Sequence, residues 1–197
     1  MSDRLCAIAG GGSQVATDLI ALLTADGWEV SAVDVADYDL LVSDEAERWA
    51  ASLPRADALV HLVGGWRGGH LIDETPAQDI ALLDDLLIRT VRNTTRAFAP
   101  KLREAGGRFV LVSSRQAQAP DAKNAAYAAS KAYAEAWTLA FARDLAEHGG
   151  TANVVVVNAI GDDKPSFTPA AHLAAAIARM VTDEGSRMNG QRLSLHG

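Results

Sequence analysis

Tyr127 and Lys131 stand four residues apart in a segment with helical spacing, so their side chains share one face of a helix. A phenol ordinarily holds its proton up to a pH of about 10, and a neighbouring ammonium favours the phenolate. Side by side, the two could pass a proton to or from a substrate oxygen near neutral pH. Ser114, 13 residues before the tyrosine, could donate a hydrogen bond to the same oxygen. The spacing alone suits an amphipathic aromatic beside a solvated lysine equally well.

A second group has the makings of an anion site. Gly10, Gly11 and Gly12 follow a short apolar run, and Ser13, Gln14 and Val15 open the next helical segment. Backbone free of side chains can approach a pyrophosphate, and the N–H groups of a helix start favour negative charge. Asp34 comes 24 residues after Gly10, where an acid accepts hydrogen bonds from ribose hydroxyls and repels a 2′-phosphate. That pattern prefers NAD to NADP. A plain strand-to-helix turn and a solvated loop acid account for the same residues without a ligand.

These groups need a scaffold, and the chain supplies alternating apolar and amphipathic segments. Strands are expected at Leu5 to Ala9, Glu29 to Val35, Leu40 to Val42, Ala58 to Val63, Arg108 to Val112, Asn153 to Val157 and Arg192 to Leu195. Between them lie helices: one from Ser13 to the Gly27 stop, with Leu19, Ile20, Leu22 and Leu23 on one face; Asp44 to Leu53; Ala77 to Glu104; Asn124 to His148; and Pro169 to Thr182. Such alternation with short connectors implies a Rossmann-type α/β fold, a doubly wound parallel sheet covered by helices on both faces, in one domain spanning residues 1–197. Ligands bind beyond the carboxyl ends of strands in such sheets. The glycine turn, Asp34, Gly64-Gly65-Trp66 and Ser113-Ser114 all fall at those ends.

Composition narrows the function classes. A net charge of -7 argues against nucleic acid, which needs a basic face. One cysteine, Cys6, cannot form an internal disulfide, and no run has the apolar length of a membrane span or a signal peptide; a cytoplasmic protein is the expectation. His70, His148, His172 and His196 lack paired metal-ligand spacing, no Gly-x-Ser-x-Gly turn occurs, and Asp84 and Asp85 read as a solvated helix face. No metal site is expected.

With these residues in register, the chain resembles the short-chain dehydrogenase/reductase family over essentially its whole length. Tyr127-Ala128-Ala129-Ser130-Lys131 matches the family's Tyr-x-x-x-Lys element, Ser114 stands at the spacing of its serine, and Gly190-Gln191-Arg192-Leu193 resembles its closing strand. Narrower likeness is to dihydropteridine reductases, through Gly64-Gly65-Trp66-Arg67-Gly68-Gly69 and Val30 to Val35. The resemblance implies hydride transfer between NAD(H) and a small carbonyl, alcohol or conjugated ring. Tyr127 would be the acid/base, Lys131 its partner and the holder of the nicotinamide ribose, and Ser114 the group that orients the reacting oxygen. Gly10, Gly12, Ser13, Gln14, Val15, Asp34, Gly64 and Gly65 would complete the cofactor site. Trp66 would lie beside the substrate or simply cap the sheet end. It further implies a homodimer or homotetramer paired through the two long central helices, with Leu83, Leu86, Leu87, Val91, Trp137 and Phe141 as apolar surface, unless those residues serve the internal core.

Four departures from the family pattern bear on activity. Gln14 and Ala16 replace glycines of the turn, and Gln14 could crowd the pyrophosphate or bond to it. His61-Leu62-Val63-Gly64 replaces Asn-Asn-Ala-Gly, with His61 read as a packed core histidine. Leu87 takes the place of the tetrad asparagine, while Asn93 lies on another side of the helix. The segment 158–168 forms only a short lid. These motivate a second reading, a catalytically silent, cofactor-sensing or partner-binding subunit, and a third, non-redox proton chemistry without a dinucleotide.

Overall fold

The computed structural model describes residues 4–182 and 188–195; His196 lies outside them. Among the described residues six strands form one parallel sheet: β1 (Leu5–Ala9), β2 (Glu29–Val33), β3 (Ala58–His61), β4 (Arg108–Ser114), β5 (Thr151–Val157) and β6 (Arg192–Ser194). Their order is β2-β1-β3-β4-β5-β6, so the winding reverses between β1 and β3. Loops leaving those two strands part there and open a crevice, the position where doubly wound sheets take ligands.

Alternate residues of each strand feed two cores, as a pleat demands. Cys6, Ile8, Val60, Val110 and Val155 pack with Leu19 and Leu23 of α1 (Gln14–Ala25) and with Leu173 and Ile177 of α6 (Ala170–Thr182). Ala7, Leu59, Leu111 and Val154 pack on the other face. There they meet Trp49 of α2 (Ser43–Ser52), Phe98 and Leu102 of α4 (Thr90–Ala105), and Phe141 and Leu145 of α5 (Ala125–Ala146). No described helix is long and apolar enough to cross a membrane.

The expected elements need four corrections. Leu40 to Val42 is a turn leading into α2 and not a strand; its Leu40 and Leu41 carbonyls accept from the Asn93 side chain at 2.9 and 3.1 Å, which replaces ladder bonds. β2 stops at Val33, because Asp34 and Asp37 turn the chain: the Asp34 N–H donates to Asp37 Oδ2 at 2.9 Å. Leu22 is 42% exposed, off the buried face that Leu19 and Leu23 share. The long helix after residue 77 is continuous but not uniform: α3 (Ala77–Asp84) passes through a π segment, Asp85–Arg89, into α4. Such wide turns recur beside functional sites.

Candidate active site

The glycine turn sits where the sequence places it and is held tightly. Gly10 and Gly11 both donate their N–H to Val33 O, at 3.0 and 2.9 Å. Ser13 caps α1, its hydroxyl accepting from Ala16 N–H at 3.1 Å. Two glycines leave room that side chains would take. A Cβ on Gly10, whose φ is +92°, would stand 2.8 Å from Val63 N, and one on Gly12 would stand 2.3 Å from Asp34 Oδ2. The other Asp34 oxygen accepts Val35 N–H at 2.8 Å, which fixes the carboxylate over the turn.

Gly10, Gly12, Ser13 and Asp34 line one side of a cleft of about 380 Å³; Leu40, Leu41, Leu62 and Val63 supply its apolar walls. Gly64 lies at its end. An adenosine matches this chemistry, with an apolar slot for the ring, an acid for ribose hydroxyls, and free helix-start N–H groups for phosphate. The residues present fit a dinucleotide.

Gln14 is not where the departures would put it. Its side chain lies exposed, donating to Asp18 Oδ1 at 2.8 Å one turn along α1, and it does not line the cleft. Val15 is 4% exposed with its side chain in the core, so only its backbone faces the turn.

A second cleft, of about 780 Å³, shares Leu62, Val63 and Gly64 with the first and continues over the ends of β4 and β5. Ser114, Tyr127 and Lys131 all line it, together with Gly65 and Trp66. β4 delivers Ser114 at its last residue, where the hydroxyl accepts Gln116 N–H at 3.2 Å and starts a single 3-10 turn. α5 delivers the other two. Lys131 is nearly buried, and its ammonium donates to Val112 O at 3.0 Å. Burial pulls its pKa down to about 8, while Glu135 acts in the opposite direction.

The phenol departs from the simple cation-beside-phenol expectation. Burial raises the Tyr127 pKa above its ordinary value, and the Ser114 hydroxyl pulls it only partway back. Tyr127 therefore stands protonated at neutral pH, the form able to give a proton to a carbonyl oxygen.

His61, the last residue of β3, is a packed core residue. It is 1% exposed, with Thr90 Oγ1 at 3.2 Å from Nε2 and Thr94 Oγ1 at 3.2 Å from Nδ1. Leu87, in the π segment, is buried and brings no polar group to the cleft. Sequence reasoning did not single out Asn158, Lys164 and Phe167, which line the far wall. The short lid that carries them closes on itself: Thr168 N–H donates to Ala159 O at 2.8 Å and Gly161 N–H to Thr168 O at 3.0 Å. Opposite stands Trp66, 56% exposed; its loop is tied to the start of α5 by the Gly69 N–H bond to Lys123 O at 2.8 Å.

A glycine turn and an acid after the second strand line one cleft, and a serine, tyrosine and lysine line a second that shares three residues with it. The short chain dehydrogenase family model matches residues 6–164, and the chain belongs to that family of nicotinamide-dependent oxidoreductases. Among solved structures, an NAD+-bound xylitol dehydrogenase superposes with a TM-score of 0.88 at 16% identity, covering 100% of this chain and 98% of that one. A small-chain dehydrogenase superposes with a TM-score of 0.86 at 18% identity, covering 98% and 96%. At such identities the likeness is one of fold. No curated protein matches the chain.

Proposed function

We propose that this protein is an NAD(H)-dependent oxidoreductase acting on a small carbonyl, alcohol or conjugated ring. The observation that carries the reading is that Ser114, Tyr127 and Lys131 line one cleft, which shares Leu62, Val63 and Gly64 with the glycine-turn cleft. Bound NAD(H) supplies or accepts the hydride. Gly12 and Ser13 would hold its pyrophosphate by backbone N–H groups, with Gly10, whose N–H is taken by Val33 O, leaving it room to approach. Asp34 would accept from the adenosine ribose hydroxyls, and Gly64 and Gly65 would line the remainder of the site. Tyr127 O–H gives its proton to the substrate oxygen as that oxygen gains negative charge, or takes it back in the reverse reaction. Ser114 donates a second hydrogen bond and orients the oxygen. The Lys131 ammonium stabilises the phenolate left behind.

NAD is preferred to NADP because a 2′-phosphate would meet Asp34, with Asp39 in the same wall. Trp66 and Phe167 both line the cleft proposed for the substrate, which suits a flat ring; this agrees with the dihydropteridine reductase likeness of the Gly-Gly-Trp stretch. Pairing through the α3–α4 helix and α5 remains the proposed assembly, with a smaller patch than the sequence suggests. Leu83, Leu87, Val91 and Phe141 are spent on the core, and Leu86 lines the cofactor cleft. Trp137, stacked on exposed Tyr133 with centroids 6.1 Å apart, is what that face presents.

Calorimetric titration with NADH and NADPH, followed by turnover on a carbonyl panel, tests the reading. Tyr127→Phe should remove turnover by more than about a hundredfold while leaving fold and NADH affinity largely intact. Full activity in that variant would refute the tyrosine's role. NADH binding without any turnover would instead favour a silent, cofactor-sensing subunit, the reading that Leu87 in place of a polar residue supports.

A further inference from the structure

Glu135 is 1% exposed and lies one helical turn beyond Lys131 on α5. A carboxylate so placed is costly unless its oxygens are satisfied and its charge is balanced. Both conditions are met by residues from three separate places. Ser113 O–H donates to Oε1 at 2.7 Å, the Gln118 amide donates to both oxygens at 3.0 Å, and the Arg192 guanidinium of β6 pairs with Oε2. The position of these donors is telling. Ser113 immediately precedes Ser114, and Lys131 Nζ binds the carbonyl of Val112. Residues 131 and 135 of one helix therefore grip residues 112 and 113 of the strand whose last residue is Ser114.

We propose that Glu135 is a positioning residue for the reaction, holding the end of β4 so that Ser114 faces Tyr127 and balancing the charge of buried Lys131, with Arg192 tying this grip to the closing strand. The inference rests on the reading of Ser114, Tyr127 and Lys131 as the reacting set. Nothing in the local sequence marks this acid, since one acid on a long helix ordinarily faces solvent.

The groups around Lys131 make the charge role specific. Tyr127 lies one turn back on the same helix, and His61 faces it from β3 as a neutral ring. Asp84 of α3 reaches only the neighbouring Ser130, whose hydroxyl donates to it at 3.3 Å. Glu135 is the anion that opposes the desolvation of Lys131. Without its charge, Lys131 would lose its proton at lower pH.

Glu135→Gln in the full chain tests this, since it keeps an acceptor for Ser113 while it removes the charge and the pairing with Arg192. The first readout is independent of turnover: the Nζ titration of Lys131 by ¹⁵N NMR, with Lys131→Arg to assign the signal. The midpoint should fall by about one pH unit, and Glu135→Asp should restore it toward the parent value. In turnover with NADH, kcat at pH 8 should fall by about tenfold with KM for NADH nearly unchanged, and activity should recover as the pH is lowered to 6. A merely structural acid would lower the melting temperature and leave the Lys131 midpoint in place, which would overturn the proposal. If Glu135→Gln does not fold, Ser113→Ala carries the test. It removes one tie and leaves the carboxylate bonded to Gln118 and Arg192, so kcat should drop with the fold intact; an unchanged kcat refutes the positioning role. Failure of the catalytic reading shows separately, as full activity in Tyr127→Phe.

Discussion

Acidifying the solution should weaken this fold through His61 in a calculable way. The imidazole is buried with a threonine hydroxyl at each ring nitrogen, and a hydroxyl can either give or accept, so the neutral ring is satisfied. Burial first, and then the nearby Lys131 ammonium, lowers its pKa from 6.5 to about 3. The folded value is depressed, so the stability it protects is fully present above pH 6.5 and falls away toward pH 3, because the unfolded chain takes up the proton first. Each pH unit in that window is worth about 1.4 kcal/mol, so lowering the pH to 5 removes about 2 kcal/mol. For a domain of this size that corresponds to about 4–8 °C in melting temperature. The assay compares thermal unfolding of the parent protein and His61→Gln at pH 7.5 and 5.0. The variant starts less stable, having lost the ring, but the parent should lose about 4–8 °C more between the two pH values. Parallel losses would refute the reasoning, as would an NMR titration in which the His61 ring protonates near pH 6.5.

Two further outcomes follow from the cofactor cleft. Asp34→Asn should raise NADPH affinity relative to NADH by about tenfold, because it removes one charge beside the ribose; an unchanged ratio by calorimetry would place the selecting group elsewhere. Gln14→Gly, which restores the family residue, should change NADH affinity by less than about twofold, since the Gln14 side chain is tied to Asp18 outside the cleft, and should lower helix stability by less than about 1 kcal/mol. A large gain in affinity would show that Gln14 obstructs the pyrophosphate after all.

The strands, and the placing of Ser114, Tyr127 and Lys131 on one cleft, were legible because both depend on local pattern. Five-residue apolar runs such as Leu5–Ala9 have few alternatives in a parallel sheet, and a tyrosine and lysine four apart on a helix must share a face. What local pattern misses is any group satisfied from a distance. Leu40 to Val42 is apolar enough for a strand, yet its carbonyls are taken by Asn93, more than fifty positions along the chain, while Leu40 and Leu41 wall the nucleotide cleft. The π segment at Asp85–Arg89 is hidden because one extra residue per turn hardly disturbs the apolar repeat. The direction of the Gln14 side chain is hidden for a related reason. Aligned position gives its place on the turn, but the direction of its side chain is set by Asp18 one turn on. Glu135 escaped notice because its partners lie 22, 17 and 57 residues away.

These distant satisfactions also decide how the site carries charge. His61, Lys131 and Glu135 are all nearly buried under or beside the reaction cleft, and their states depend on one another. Burial, and then the Lys131 ammonium, keeps His61 neutral, and Glu135 favours the Lys131 ammonium against burial. Arg192, at the exposed edge, answers the remaining negative charge. Protonating His61 would place a second cation beside Lys131, so acid should weaken the fold and disturb the lysine together. Neutralising Glu135 leaves His61 neutral but disturbs the lysine and the tie to Ser113 and Arg192. The two perturbations thus act at different places, one on a core residue at the end of β3 and the other on the grip at the end of β4.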